Sequence, residues 1–148
     1  MLEKAMILAA KGHMGQLDKG GHPYILHPIR VMLQCRTIEE KTVAMLHDLL
    51  EDTEYTEDDL RKEGFSEDVI AAVVCLTKTE GEEYTDYVER ICQNKLAARV
   101  KLADLMDKVP FIQRKFHLYH LFSDKTVTDF INTTHRRRTI SNAENKTR

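Results

Sequence analysis

The sequence predicts an all-α fold, one bundle of about six to eight helices. Three observations carry this. Apolar residues recur at helical spacing in segment after segment, alternating strand-like runs are nearly absent, and the breaks between segments hold helix-capping residues. At 148 residues the chain is long enough for one domain with a real core and too short for two. The bundle is expected over residues 1–125, followed by a basic tail of different composition over 126–148.

The elements follow in order. Leu2, Met6, Ala9, Ala10 and His13 sit at helical spacing. Gly15, Gly20, Gly21 and Pro23 then break the pattern, so 14–27 reads as a loop. Pro28 suits the first turn of a short helix to about Cys35, where a missing amide hydrogen costs nothing. Thr37 with Glu40 forms a capping box that opens the next helix, whose inward stripe is Val43, Leu46, His47 and Leu50. Thr56 with Asp59 starts another helix, which Gly64 ends. Ser66 caps residues 67–77. Residues 85–93 and 95–108 form two further helices, and 111–122 one more after Pro110.

Composition narrows the function. A formal charge of −2 describes an ordinary soluble chain and points neither to nucleic acid nor to a membrane surface. The longest apolar runs, Val43 to Leu46 and Val69 to Leu76, are far too short to span a bilayer. The first residues show helical spacing and no signal-peptide cleavage pattern, so a cytoplasmic location is expected. Cys35, Cys75 and Cys92 are odd in number and scattered, which suggests reduced, packed thiols. From Asn132 to Arg148 the chain carries five Lys or Arg against Glu144 alone and almost no apolar residues. Such a segment is expected to be partly disordered, and a nucleic-acid arm is not expected of it. Nothing in the sequence gives the oligomeric state.

The chemistry lies in Ala44–Thr53, AMLHDLLEDT. A core-facing helix here offers His47, Asp48, Glu51 and Asp52. Residues four apart stand above one another on a helix, so His47 is expected over Glu51 and Asp48 over Asp52. Buried carboxylates without a partner are costly or become neutral, and a divalent cation answers several of them at once. A lone His-Asp pair is ordinarily a surface pair, and Glu51 and Asp52 equally describe a solvated helix end. Two further anomalies alter that balance: His27, where the Gly-rich loop meets a helix, and Asp104, on an apolar helix face with Val100, Ala103 and Asp107.

The order His…His-Asp…Asp resembles the HD-domain superfamily of metal-dependent phosphohydrolases. More closely, the chain is similar to the hydrolase domain of RelA/SpoT-type proteins and the stand-alone small alarmone hydrolases. Three blocks carry the resemblance: His13–Gln16 with Gly21–Pro28, Leu46–Thr53, and Val100–Asp104. The match in order and spacing runs from residue 1 to about 112. The resemblance implies an HD-domain bundle with His27, His47, Asp48 and Asp104 as ligands of one metal, usually Mn²⁺. Two imidazoles and two carboxylates also suit Fe²⁺ or another six-coordinate divalent ion. It implies that Glu51 and Asp52 handle the attacking water. It implies a small nucleotide substrate, the guanosine alarmones ppGpp and pppGpp, which lose their 3′-diphosphate to give GDP or GTP and pyrophosphate. Lys19, Tyr24, Lys101 and Lys108 are the matching candidates for substrate contact. Alarmone synthesis is not expected.

Two departures from the family pattern keep alternatives open. Asp18 stands where an arginine is usual, and Lys108 where an asparagine is usual. An HD phosphohydrolase acting on another nucleotide, and a degenerate module that binds a nucleotide without hydrolysis, both remain compatible with the sequence.

Overall fold

The computed structural model describes residues 1–108, which form eight helices: α1 Leu2–Gly12, α2 Leu26–Gln34, α3 Ile38–Leu46, α4 Leu49–Asp52, α5 Glu57–Lys62, α6 Glu67–Leu76, α7 Tyr84–Gln93 and α8 Lys95–Lys108. The all-α expectation holds over these residues. The helix expected at 111–122 and the basic tail lie outside them. No described helix is long and apolar enough to cross a membrane.

The capping signals work as read. The Thr37 and Thr56 hydroxyls accept from the amides of Glu40 and Asp59, whose carboxylates bond back to the capping residues. Ser66 caps α6 through the amide of Val69. Gly64, at φ +84°, leaves α5 in the left-handed conformation that a side chain disfavours.

Two boundaries differ from the sequence reading. Helix α2 begins at Leu26, so His27 lies inside its first turn and not at the end of a loop; Pro28 is still early enough to need no amide hydrogen. The expected single helix through 44–53 is broken at His47–Asp48, giving α3 and the short α4. The cause is local. The His47 Nδ1 lies 2.8 Å from the Ala44 carbonyl oxygen and competes for it with the next turn's amide. Asp48 then sits at φ −100°, ψ 0°, and the Asp52 amide still bonds the Asp48 carbonyl at 3.0 Å.

Helix α3 is the central element. Thr42 through Leu46 are all buried, and α1, α2, α6 and α8 pack around it. A helix buried nearly all round has no polar face to spare for solvent. Val43, Leu46 and Leu49 have no exposed surface, each worth about 1.5–3 kcal/mol of burial. Cys35 and Cys75 are buried, and burial pushes both thiols up, Cys35 to about 11, as befits packing residues.

The end of α1 fixes where α4 sits. A Cβ on Gly12 would meet Leu49 Cδ1 at 2.6 Å, with Thr53 and Tyr55 side-chain carbons at 3.3 Å. Leu49 directly follows the His47–Asp48 break, so this close approach locks the segment that carries the polar cluster. Gly12→Ala should therefore destabilise the protein by about 1–3 kcal/mol through overpacking, despite alanine's better helix propensity. Urea denaturation measures this, and a more stable variant would show that Leu49 moves aside freely.

Candidate metal centre

Three helices deliver the polar cluster. His27 comes from the first turn of α2, His47 and Asp48 from the break between α3 and α4, and Asp104 from the buried face of α8. His27, His47 and Asp104 are buried at 6%, 3% and 1% exposure, too little for water to solvate them. One candidate ligand atom from each of these three lies within 4.8 Å of the others. The Nε2 of His27 is 3.2 Å from Asp104 Oδ1 and 3.5 Å from Asp48 Oδ2. The Nε2 of His47 is 3.0 Å from Asp48 Oδ2 and 4.0 Å from Asp104 Oδ1.

The other side of each ring sets its tautomer. His47 Nδ1 faces the Ala44 carbonyl, an obligate acceptor, at 2.8 Å. His27 Nδ1 faces the Asp107 carboxylate at 2.9 Å. Both Nδ1 atoms must donate, so in the neutral rings both Nε2 atoms carry lone pairs pointing into the cluster. His27 Nε2, His47 Nε2 and Asp104 Oδ1 are all buried and none has a hydrogen bond of acceptable geometry. Acceptors converging on acceptors in a dry space require a proton or a cation between them. Two imidazoles and carboxylates, with no thiolate, form the donor set of a divalent ion with positions open to water and substrate. The residues present therefore fit such an ion.

The surrounding groups hold the carboxylates ionised. Burial alone would raise Asp48, but the His47 ring beside it and the Tyr24 hydroxyl, donating at 2.6 Å, hold it well below the usual carboxylate range. Burial likewise opposes ionisation of Asp104, and His27, Lys101, Lys108 and His47 together overcome it. Burial and the neighbouring Asp48 in turn push the Tyr24 hydroxyl strongly up, so it remains a donor. For His47 burial works against the charged ring, and Asp48 and Asp104 outweigh it, raising its pKa. That is the proton-filled answer to the same electrostatic problem that a metal ion would solve.

The remaining predicted residues are placed as follows. Glu51 and Asp52 are exposed on α4, one turn past Asp48. Glu51 Oε2 accepts from the Lys78 amide at 3.2 Å, and Gln16 bonds the Asp52 carbonyl at 2.9 Å. Lys101 is mostly buried, bonds Asp104 Oδ2 at 3.1 Å and stands 5.3 Å over the Tyr87 ring, so it is no ordinary surface lysine. Lys108 Nζ lies 2.5 Å from Asp104 Oδ1. Lys19 is exposed on the loop between α1 and α2. In that loop Asp18 Oδ1 accepts from the amides of Gly20 and His22 at 2.8 and 2.9 Å. Asp18 thus closes a turn in this chain, which accounts for a carboxylate where the family pattern has an arginine. His13 is buried, bonds Gln16 and lies 4.9 Å from the Tyr24 ring, so it both braces the loop and lines the site.

Two residues that brace the cluster were given no role by the sequence reading, although Asp107 was noted on the Asp104 face. Asp107 receives His27 Nδ1–H and is gripped by Arg30 Nε at 3.0 and 3.1 Å. Arg30 lies one turn after His27 and Asp107 one turn after Asp104. That spacing on two ligand-bearing helices was the available signal.

No protein-family profile matches the chain. It is 32% identical over 120 residues to the guanosine-3′,5′-bis(diphosphate) 3′-pyrophosphohydrolase of Aquifex aeolicus, covering 73% of this chain and 17% of that protein. The enzyme of the same name from Vibrio cholerae is 31% identical over 121 residues, covering 74% and 17%. A GTP pyrophosphokinase of Myxococcus xanthus is 32% identical over 122 residues, covering 70% and 16%. The chain thus spans about one sixth of the length of these curated relatives. The solved structure of a metazoan SpoT orthologue, described as hydrolysing ppGpp, aligns over 93% of this chain and 94% of its own with a TM-score of 0.64. At 21% identity that likeness speaks for the fold.

Replacing Asp107 by Asn should free the His27 ring to rotate and change tautomer. Divalent-metal affinity is expected to fall by about 10–100-fold, the usual effect of losing such a carboxylate partner. Isothermal titration with Mn²⁺ would register it, and unchanged affinity would mean that the ring is oriented by packing alone.

Proposed function

We propose that this chain, which belongs to the HD hydrolase domains of the RelA/SpoT type, is a divalent-metal-dependent enzyme that removes the 3′-diphosphate of ppGpp and pppGpp. We assign the metal as Mn²⁺, the ligands as His27, His47, Asp48 and Asp104, and the setting as the cytoplasm. One observation above all supports this reading: two Nε2 lone pairs and a carboxylate oxygen, all buried and without hydrogen bonds, converge on one point.

A divalent ion held by His27, His47, Asp48 and Asp104 would supply Lewis acidity, to polarise a phosphoryl oxygen and to lower the pKa of a water. The chain's own residues do the rest. Glu51 and Asp52 stand on the solvent side of the ligands, where they orient the attacking water and take its proton. The water oxygen bonds to the phosphorus carried by the ribose 3′ oxygen. The bond between that phosphorus and the 3′ oxygen breaks, the 3′ oxygen is protonated, and pyrophosphate departs. Lys101 and Lys108 bring two ammonium groups to the phosphate side, while Lys19 and Tyr24 face the nucleoside from the loop. Tyr24 also steadies Asp48, so its loss affects ligand and substrate together.

A second reading has one observation in its favour. Lys108 pairs directly with a ligand carboxylate, which suits a module that binds a nucleotide without turning it over. Product formation separates the two. Purified protein with Mn²⁺ should release pyrophosphate from ppGpp, and across a panel of phosphorylated nucleosides ppGpp or pppGpp should give the largest kcat/KM. His47→Ala and Asp104→Ala should lose both metal and turnover. Glu51→Gln should keep the metal and lose about 10²–10⁴-fold in kcat. Bound metal and tight nucleotide binding with no product would sink the enzymatic reading.

A further inference from the structure

Asp104 Oδ1 is claimed twice. It is one of the three convergent ligand atoms, and the Lys108 ammonium stands 2.5 Å from it. The carboxylate's other oxygen is separately held by Lys101 at 3.1 Å. Asp104 therefore already has a structural counter-ion on the oxygen that faces away from the cluster. The contact with Lys108 is electrostatic and not directional, since Oδ1 accepts no hydrogen bond of acceptable angle. The ammonium behaves toward it as a point charge would.

The two lysines also differ in freedom. Lys101 is 16% exposed and laid against the Tyr87 ring, whereas Lys108 is 33% exposed. A flexible four-carbon stem that reaches solvent can withdraw its charge into it, and Lys101 has no such exit.

We propose that Lys108 is a built-in competitor for the metal: its ammonium occupies Asp104 Oδ1 in the metal-free protein and must be displaced when a divalent ion binds. The inference rests on the metal-site reading above and extends it. An ammonium and a divalent cation cannot share one carboxylate oxygen at contact distance without strong repulsion, and Asp104 itself is 1% exposed. Two consequences follow. Metal affinity is set lower than the ligands alone would give, and the metal-free fold is spared an uncompensated carboxylate. The ammonium released by the metal is then available at the same mouth for an anionic phosphate.

The test is a Mn²⁺ titration of the full chain by calorimetry, comparing wild type with K108M, alongside thermal melts with and without metal. K108N serves as a second neutral variant should K108M fold poorly, and K108R retains the charge. Removing the charge should tighten Mn²⁺ binding at least tenfold in K108M or K108N, with K108R close to wild type. Metal-free K108M should melt lower than metal-free wild type, and saturating Mn²⁺ should close that gap. Equal or weaker Mn²⁺ binding by the neutral variants, with wild type binding normally, would overturn the competitor role and leave the metal site standing. Absence of Mn²⁺ binding in wild type and variants alike would overturn both.

Discussion

Two imidazole lone pairs and a carboxylate oxygen pointing at one another in a dry interior is the constraint on which the rest of the molecule depends. Left alone, such an arrangement repels itself. It persists because each ring is committed on its far side: His47 to the Ala44 carbonyl and His27 to Asp107. Those outward bonds cannot be satisfied with the rings turned over, so the lone pairs have nowhere else to go. The cluster is thereby prepared to take positive charge, either as protons or as a divalent ion. The wider fold serves this arrangement by bringing α2, the α3–α4 break and α8 to one point.

Charge is balanced in layers around that point. Arg30 answers Asp107, Lys101 answers the outer oxygen of Asp104, and the Tyr24 hydroxyl answers Asp48. Each partner touches the oxygen or carboxylate that supports the centre, and none of these three sits between the ligand atoms. Lys108 is different, because it brings a full positive charge to an inner oxygen, whereas the Tyr24 hydroxyl that meets Asp48 Oδ2 is neutral. That distinction separates groups that build the site from one that contends for it.

Much of this was legible before any coordinates. His47 and Asp104 stood out because each is a polar side chain on a face that its neighbours make apolar, and His27 because it lies where the Gly-rich loop meets a helix; all three are buried. The capping boxes at Thr37 and Thr56 were equally readable, since they depend on residues three apart. The break at His47–Asp48 was not. AMLHDLLEDT has good helix formers throughout, and the interruption comes from a side chain bonding a carbonyl three residues back, which periodicity does not encode. Asp107 and Arg30 were hidden for another reason: their partnership joins residues 77 apart in sequence, and only packing of α2 on α8 creates it. Asp18 is an intermediate case. An aspartate two residues before a glycine is a turn signal in its own right, but its match to a family arginine position drew attention to charge and away from the loop it closes.

The split between α3 and α4 also divides labour. The proposed ligands His27, His47 and Asp104 lie deep enough to exclude water, while Glu51 and Asp52, on α4, are open to solvent. A hydrolase needs both conditions within a few ångströms: a dry pocket to strengthen the field on the phosphate, and a wet edge from which the nucleophile arrives. Helix α4 meets both because it is short and pinned. Leu49 is fully buried against the end of α1, and the Gln16 side chain and the Lys78 amide tie down Asp52 and Glu51. The acidic pair is therefore tethered while it remains exposed. A single uninterrupted helix would place both pairs on one straight ladder. By yielding the Ala44 carbonyl to an imidazole, the chain ends that ladder at the point where the buried ligands give way to the exposed acids.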